Sequence, residues 1–396
     1  MAFQITPEYI KALRQHLEDK NFSGLESLLL DLHAADVAEI AQSLDAEQAY
    51  ALMQTLGPER FSDVIVYFDE ERRGEILENY TGKEIAQVVL DNMDTDDAAD
   101  LISELPEDKK REVLSNLEDL DLAKDLADLL THAEGTAGAL MATELVKVNE
   151  NCTVLHCVRE MRRQAEDVEV VHAVYVVDDN DVLLGSLSLK KLLTTSTRTP
   201  ISEVFERKVR SVTSTTEDQE VARIMKKYDL FVIPVVDELG RLLGRITLDD
   251  VVDVIQEEAD SNYQLMSGLS DEVTNDDGLF DMTRARLPWL LVGLLGGVLT
   301  STVIARNESE LILIPQIAFF MPLIAAMGGN VGVQSSAIVV QAIANSTLQK
   351  NLWTRLRREL GVGLFNGLIC ALVILLYSWG MGHGLLFATT VGGSLL

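Results

Sequence analysis

Two stretches of the sequence repeat each other, VVDDNDVLLGSLSLKKLL at 176–193 and VVDELGRLLGRITLDDVV at 235–252. They align at a constant offset of 59 positions, which pairs Gly185 with Gly244. In each copy a β-branched run is followed by a turn, a second short apolar run and an amphipathic segment, an order typical of strand, strand and helix. The sequence therefore predicts an α+β domain over residues 141–256, built from two copies of one unit.

Residues 1–140, upstream of the duplication, have the pattern of short helices. Apolar residues recur three and four positions apart, as in the stretch 25–32. Glycine and proline divide the helices at Gly57-Pro58, Gly82 and Pro106. We predict an acidic, all-α domain in which short helix pairs stack into a superhelix.

Charge is distributed very unevenly along the chain. Its 396 residues include 33 Lys and Arg against 63 Asp and Glu, a net charge of −30. Residues 284–396 hold seven basic and three acidic residues, so the first 283 residues carry −34. Such a surface repels phosphates, which disfavours nucleic acid as a partner. The segregation indicates an acidic soluble part followed by a chemically different, apolar part.

The cysteines and the N-terminus indicate the compartment. The three cysteines form no CxxC pair, so neither a disulfide framework nor a zinc site is indicated. The first twenty residues are polar and lack the apolar core of a signal peptide. We therefore expect the first 283 residues to stay in the cytoplasm.

Three long uncharged runs follow, at 287–305, 311–344 and 361–381. Because a helix needs about 20 apolar residues to cross a bilayer, these runs predict an α-helical transmembrane domain over residues 284–396. A fourth apolar stretch, 385–396, is too short to span, and we expect the sequence to be part of a longer chain. A polar connecting helix is predicted over residues 257–283.

Basic residues flank these spans on one side. They precede the first span and separate the second from the third, at Arg284, Arg286, Lys350, Arg355, Arg357 and Arg358. The excess of Lys and Arg in cytoplasmic loops places both groups, and the N-terminus with them, in the cytoplasm. The protein is thus expected to be a multi-pass protein of the cell membrane, in contact with lipid.

The segment PLIAAMGGNVGVQSS, 322–336, is the most specific local feature. Gly328 and Gly329 favour close helix approach or a local break, and Asn330 and Gln334 bring amides to membrane depth. Polar groups there are costly unless they face other helices or a water-filled path. One interpretation is a packing face of small residues. The other is a pore lining, which the proline and the glycine pair favour because they would turn backbone carbonyls toward a lumen.

Acidic residues cluster twice in the soluble part. One cluster contains Asp96 and Asp100, and the other contains Asp250, Asp253 and Glu257. Residues three or four apart share a helix face, so like charges there repel until a cation neutralises them. Mg²⁺ keeps several waters and uses one or two carboxylates, which suits such surfaces. A solvated acidic surface explains the pattern equally well.

At residues 322–336 the chain resembles the MgtE family of magnesium channels and transporters. The matching positions are Pro322, Gly328, Gly329, Asn330, Gly332 and Gln334, whereas Met327 stands where the family typically has threonine. The four regions also follow the family's order: acidic helical domain, paired CBS (cystathionine-β-synthase-type) repeats, connecting helix and membrane helices. The resemblance implies magnesium transport, a homodimer and five membrane helices, the last of which carries an acidic pore ligand and would lie beyond residue 396.

The resemblance also implies regulatory Mg²⁺ ions between the helical domain, the CBS pair and the connecting helix. The family's ligand positions match Asp96, Asp100, Asp229, Asp250, Asp253 and Glu258, with Asp63 matching across a one-residue gap. Two further family acids fall on Ser261 and Asn262, which carry no charge. The pore-lining positions would be Gly328, Gly329, Asn330 and Gln334.

CBS modules often bind a nucleotide through a hydroxyl and a carboxylate. The second copy has both, as Thr247 and Asp250, whereas the first has Ser188 but Lys191 in place of the acid. ATP therefore stays open as a ligand beside a purely structural role of the repeats.

No catalytic motif is recognisable in the sequence, so the protein is not expected to be an enzyme. We predict a magnesium transporter regulated by cytosolic Mg²⁺. The alternatives are a transporter gated by nucleotide and a membrane-anchored module that binds divalent cations without transport.

Overall fold

The computed structural model describes residues 5–165, 168, 170–267, 278–344 and 352–395. It contains two compact units, Met1–Ile255 and Gln256–Leu396. The first unit holds an all-helical part and two three-stranded sheets, and the second holds long apolar helices.

Residues 5–130 form ten α-helices, as the apolar spacing predicts. They are α1 (Pro7–Glu18), α2 (Phe22–Leu29), α3 (Ala34–Gln42), α4 (Ala46–Met53), α5 (Pro58–Ile65), α6 (Glu70–Leu77), α7 (Gly82–Glu84), α8 (Thr95–Glu104), α9 (Glu107–Asn116) and α10 (Leu120–Leu129). Side-chain caps start several of them: Asp45 accepts from the Gln48 N–H at 2.8 Å, and Asp69 from the Arg72 N–H at 2.8 Å. We call these ten helices the helical domain.

Basic side chains tie together helices of this domain that are three apart in the chain. Each donates to a carbonyl at the C-terminal end of a helix about thirty residues upstream: Arg60 to Leu30 (3.0 Å), Arg72 to Leu44 (2.5 Å) and Lys109 to Leu77 (2.6 Å). The last carbonyls of a helix have no partner within the helix, and a cation there also complements the helix dipole. The recurrence of this contact gives the stack its regular spacing.

The two CBS-type repeats form two sheets of identical topology. The first repeat consists of β1 (Val146–Asn149), α11 (Val154–Gln164), β2 (Val174–Val177), β3 (Leu183–Leu187) and α12 (Leu189–Thr194). The second consists of β4 (Val212–Thr213), α13 (Asp218–Tyr228), β5 (Val232–Val236), β6 (Leu242–Thr247) and α14 (Leu248–Met266). In both sheets the first strand is parallel and the third antiparallel to the middle strand.

Irregularities of the sheets repeat together with the sequence. The register shifts between Val176 and Val177 in the first sheet and between Val235 and Val236 in the second, which are equivalent positions. The acidic turn at 178–181 is a hairpin, in which Asp178 accepts from the Asn180 and Val182 N–H groups. The duplication predicted from the sequence is therefore confirmed in three dimensions.

The last strand of each repeat is covered by the segment that precedes the other repeat. Ser186 bridges to Glu206, and Arg245 bridges to Ala142. The glycine before each bridge has no room for a side chain, since a Cβ on Gly244 would lie 2.5 Å from the Ala142 carbonyl oxygen. The chain leaving the helical domain is thus attached to the second repeat, although the first repeat follows it in sequence.

The hydrophobic core reflects this attachment. Buried residues of the helical domain, such as Phe61 and Leu101, belong to the same core as Val221, Ile233 and Ile246 of the second repeat. The first repeat has a separate core around Val174 and Leu187. Apolar burial, the main stabilising term in folding, therefore joins the helical domain to the second repeat.

Helix α14 continues through the expected boundary at residue 256. No glycine or proline interrupts residues 248–266, and the helix runs for 19 residues. The beginning of the predicted connecting helix is therefore the end of α14. Residues 268–277 of the predicted connecting helix lie outside the described residues.

The described residues after α14 form five α-helices: α15 (Leu279–Arg306), α16 (Glu308–Leu313), α17 (Met321–Ala344), α18 (Leu352–Gly380) and α19 (Leu385–Gly393). Within the described residues, three segments are long and apolar enough to cross a membrane: Met282–Arg306, Pro315–Gln341 and Leu356–Gly380. At most 6% of each apolar window is buried within the chain. Such faces are stable only against lipid or other helices.

Helix α17 differs from the local break expected at its glycines. It is α-helical through Gly328 and Gly329, so its backbone carbonyls belong to a continuous helix. Pro322 occupies the second helical position, where a missing N–H costs nothing because the first N–H groups of a helix have no intrahelical partner. The polar groups that this helix offers are its side chains.

Candidate functional site

The first half of the site is the N-terminal end of α8. Asp94 is the N-cap, Asp96 and Asp97 lie in the first turn, and Asp100 follows one turn later. Thr95, between them, is buried. The partial positive charge at a helix N-terminus stabilises nearby carboxylates, which makes this concentration of acids compatible with folding.

The second half is the start of α14 in the second repeat. Asp250 lies in its first turn and accepts hydrogen bonds from the Thr247 N–H at 2.9 Å and from the Thr247 hydroxyl at 2.6 Å. These contacts close the helix N-terminus and fix the direction of the carboxylate. Asp253, one turn further along, is exposed.

The two halves lie against each other, since the carboxylate of Asp94, the N-cap of α8, is 3.5 Å from Nη2 of Arg245 on the strand that leads into α14. Burial raises the pKa of Asp96 well above its usual range, with further contributions from the charges of Asp97 and Asp250. Burial, then the charges of Asp250 and Asp100, raise the pKa of Asp97 to about 7. Acids of the helical domain and of the second repeat therefore repel one another across a partly dehydrated interface.

The pKa values of Asp250 and Asp253 are raised as well. Burial raises the pKa of Asp250, although its hydrogen bonds from Thr247 oppose the change. Burial also raises the pKa of Asp253, followed by the charges of Asp250 and Asp249. The negative potential thus extends along the first two turns of α14.

A connecting segment closes one side of the site. Glu144 accepts hydrogen bonds from the Thr95 N–H at 3.2 Å and from its hydroxyl at 2.9 Å, and the Thr143 N–H donates to the Thr95 hydroxyl at 2.9 Å. Burial raises the pKa of Glu144. The segment between helical domain and first repeat therefore fixes the start of α8.

The donor set suits Mg²⁺, which prefers oxygen ligands and keeps several of its waters. Within the described part of the chain, no three His, Cys, Asp or Glu side chains form a group that could hold a metal. The site therefore offers single and paired carboxylates rather than a cage. An ion would bind here through one or two carboxylates and bridging waters, and it would relieve the repulsion between the two faces.

The structure brings together some of the predicted ligands. Asp96 and Asp250 lie close enough for their charges to interact across the two parts. Asp100 follows Asp96 one turn later on α8, and Asp253 follows Asp250 one turn later on α14. Asp63 lies on the exposed side of α5, and Asp229 ends α13 in a left-handed conformation at φ 53°. Neither is among the charges that dominate the pKa shifts of Asp96 and Asp97. Glu258 is half-buried on α14, in the unit that begins at Gln256.

Sequence reasoning missed Arg245, Glu144 and Thr95 at this site. Arg245 carried a usable signal, because a strand position between Gly244 and Ile246 in a buried strand is unusual for a charged residue. Glu144 and Thr95 had no such signal, since their contact joins residues 49 positions apart.

The predicted nucleotide residues Thr247 and Asp250 are hydrogen-bonded to each other. In the first repeat, Ser188 caps α12 by accepting from the Lys191 N–H at 3.3 Å, and the Lys191 ammonium pairs with Glu206 at 3.6 Å. The second repeat therefore has a hydroxyl and a carboxylate in adjacent positions, whereas the first presents a cation.

The predicted pore residues lie on α17. Asn330 and Gln334 are four residues apart and share one helix face. Gly328, Gly329 and Gly332 have no neighbouring atom within 4 Å of a Cβ position. The glycine positions therefore leave room for a neighbouring helix, and Asn330 and Gln334 are themselves exposed within the chain.

Family models match the chain in three regions. A model described as the MgtE intracellular N domain matches residues 32–135, and CBS-domain models match 137–197 and 201–257. A model described as a divalent cation transporter matches residues 321–396.

Curated relatives match nearly the whole chain. The magnesium transporter MgtE of Thermus thermophilus is 32% identical over 390 residues, which cover 97% of this chain and 86% of that protein. The magnesium transporter MgtE of Bacillus subtilis is 30% identical over 91% of this chain and 80% of its own length.

Two solved structures match the soluble part. The soluble part of a magnesium transporter is 31% identical, with a TM-score of 0.57, and the match covers 64% of this chain and 98% of that one. The cytosolic domain of the Mg²⁺ channel MgtE in complex with ATP is 32% identical, with a TM-score of 0.58, and the match covers 62% of this chain and 99% of that one.

Proposed function

Because the chain belongs to the MgtE family of magnesium transporters, we propose that it carries Mg²⁺ across a membrane under the control of cytosolic Mg²⁺. The controlling ions bind between the helical domain and the second repeat, at Asp96, Asp100, Asp250 and Asp253, with Asp63, Asp229 and Glu258 as further ligands. The protein acts as a transporter rather than as an enzyme.

One observation carries this proposal: burial, and after it the charge of Asp250 in the second repeat, raise the pKa of Asp97 in the helical domain to about 7. Docking of the two parts therefore costs free energy while the carboxylates are ionised. A divalent cation between them removes that cost, so it binds the docked form more tightly than the separated form. This difference in affinity is the condition for a ligand to shift a conformational equilibrium.

Helix α14 supports transmission of the signal toward the membrane. It contains Asp250 in its first turn and continues for 19 residues, about 28 Å. A change in docking at its first turn would move its far end. High Mg²⁺ would hold the assembly closed, and low Mg²⁺ would let the acids repel and release the membrane helices.

The pore is proposed to use Asn330 and Gln334, with Gly328 and Gly329 allowing close approach of a neighbouring helix. Polar side chains at membrane depth are favourable where they face other helices or water. Their amide oxygens suit a hydrated Mg²⁺ ion.

The orientation follows from the basic residues at the span ends. Arg284 and Arg286, with Lys350 and Arg357, lie in the cytoplasm together with the acidic domains. We assign the protein to the cell membrane as a multi-pass homodimer surrounded by lipid.

Limited proteolysis of the full-length protein tests the regulation. Cleavage between the helical domain and the repeats should slow as Mg²⁺ rises through the millimolar range. Asp250→Ala should blunt this response, whereas Asp108→Ala, with the same charge change at an exposed position on α9, should preserve it. Cleavage that does not respond to Mg²⁺ in the wild-type protein would refute the proposal.

ATP binding is a second candidate function. It is supported by the adjacent Thr247 hydroxyl and Asp250 carboxylate and by the similarity to a structure described as an ATP complex. Calorimetry with ATP, with and without Mg²⁺, distinguishes regulation by nucleotide from regulation by Mg²⁺. If nucleotide alone controls transport, ATP binds and Thr247→Ala abolishes regulation while Mg²⁺ does not alter proteolysis.

A further inference from the structure

Arg245 is the one buried cation among the residues that the structure describes. Its side chain is 7% exposed, on strand β6 of the second repeat. A guanidinium removed from water costs several kcal/mol unless charged or polar partners surround it. The groups that contact the Arg245 guanidinium therefore indicate its role.

Those partners come from outside the second repeat. The Arg245 Nε donates to the Glu144 carbonyl oxygen at 2.5 Å, and Nη2 lies 3.5 Å from the Asp94 carboxylate. The backbone of Arg245 also pairs with Ala142, with 2.9 Å in both directions. The same residue thus anchors the connecting segment and reaches the N-cap of α8.

Of the three contacts of Arg245, only the one with Asp94 reaches the helical domain. Ala142 and Glu144 adjoin the first repeat, whereas Asp94 belongs to the helical domain. The ion pair can exist only while the helical domain is docked on the second repeat. It brings a fixed positive charge into an interface where Asp94, Asp96, Asp97 and Asp250 repel one another.

We propose that Arg245 is a tethered cation that sets the Mg²⁺ concentration at which the helical domain docks. It neutralises Asp94 at the edge of the acidic interface, so that mobile Mg²⁺ needs to neutralise only the remaining carboxylates. This inference rests on the proposed regulation by Mg²⁺ and names a residue that tunes it. Arg245 acts as a positioning residue, through Asp94, and not as a ligand of the ion.

The consequence is a shift in the Mg²⁺ midpoint of docking. Loss of the guanidinium leaves Asp94 uncompensated in the docked form and leaves the separated form, in which Asp94 is hydrated, unchanged. The midpoint should rise roughly three- to tenfold, between the effects of an exposed and a buried ion pair. The shift should shrink at high salt, because a third of the Asp94 side chain is exposed.

The test measures the Mg²⁺ midpoint of protease protection in the full-length protein, with a protease that does not cleave after arginine. Arg245→Gln should raise the midpoint three- to tenfold. Arg245→Lys, which keeps the charge, should stay within about twofold of the wild type. Arg241→Gln is the matched control, since Arg241 pairs with Asp237 within its own hairpin and should leave the midpoint unchanged.

A double-mutant cycle with Asp94→Asn separates the ion pair from a general effect on folding. In the Asp94→Asn background, Arg245→Gln should shift the midpoint less than it does in the wild-type background, and the charge of Asp250, which Arg245 also stabilises, accounts for the remaining shift. An equal shift in both backgrounds, or no shift in either, overturns the inference while the proposed regulation stands. A wild-type protein without any Mg²⁺ midpoint would overturn the regulation and this inference together. If the glutamine variant does not fold, Arg245→Met, which fills a similar volume without charge, replaces it in the cycle.

Discussion

Asp97→Asn should weaken the pH dependence with which the helical domain docks and make docking stronger in the absence of Mg²⁺. In the docked form the pKa of Asp97 rises from 3.8 to about 7, with burial as the first cause and Asp250 as the second. Because the docked form has the higher pKa, it binds the proton more tightly than the separated form. Docking is therefore most favourable below about pH 4 and weakens as pH rises through about 7.

The pKa shift of Asp97 gives the size of the effect on the free energy of docking. A rise of about three pKa units corresponds to at most about 4 kcal/mol of unfavourable free energy in the ionised, docked form. Relaxation of the interface and screening by salt reduce this, so we expect about 2 kcal/mol above neutral pH, roughly a 30-fold change in the docking equilibrium. An asparagine at this position removes the charge and with it this cost.

The assay is protease protection of the full-length protein in a chelator, at about pH 6 and about pH 8. The wild-type protein should be better protected at the lower pH. Asp97→Asn should show a smaller difference in protection between the two pH values, and the remaining difference comes from Asp96 and Asp250, whose pKa values are also raised. Asp108→Asn, an exposed position on α9, should behave like the wild type. Equal protection of the wild type at both pH values would refute the reasoning, as would an unchanged pH dependence in Asp97→Asn.

Three further substitutions test other parts of the structure. Phe61→Ala should lower the free energy of unfolding by about 3–5 kcal/mol, measured by urea denaturation, because the ring is 1% exposed. Gly244→Ala should destabilise the protein, since its Cβ would meet the Ala142 carbonyl, whereas Gly74→Ala, in open space within α6, should stabilise it by roughly 0.5–1 kcal/mol. Asn330→Leu should reduce Mg²⁺ flux into vesicles at equal protein content, and unchanged flux would exclude this side chain from the ion path.

The fold was largely predictable because its signals are local. Apolar spacing and helix breakers indicated the helical domain, and the offset of 59 residues between Gly185 and Gly244 identified the duplication. Helix α14 extends beyond the boundary expected at residue 256. The sequence becomes more polar there, but residues that favour helix formation continue to Met266.

The site was predictable only in part. The acids on α8 and α14 could be identified from their spacing, and the structure places Asp96 and Asp250 on facing surfaces. Their counterion could not be identified, because Arg245 meets Asp94 only after the connecting segment crosses to the second repeat. The sequence left open whether Gly328 and Gly329 allow close helix approach or break the helix, because glycine permits a break but does not impose one.

Mg²⁺ flux through the full-length protein, measured in vesicles as a function of Mg²⁺ on the side of the acidic domains, tests the central claim most directly. The account predicts that flux falls as this concentration rises through the millimolar range, and that Asp96→Asn combined with Asp250→Asn weakens the fall. Flux that is insensitive to Mg²⁺ on that side, or a fall unaltered by removing both charges, would contradict it.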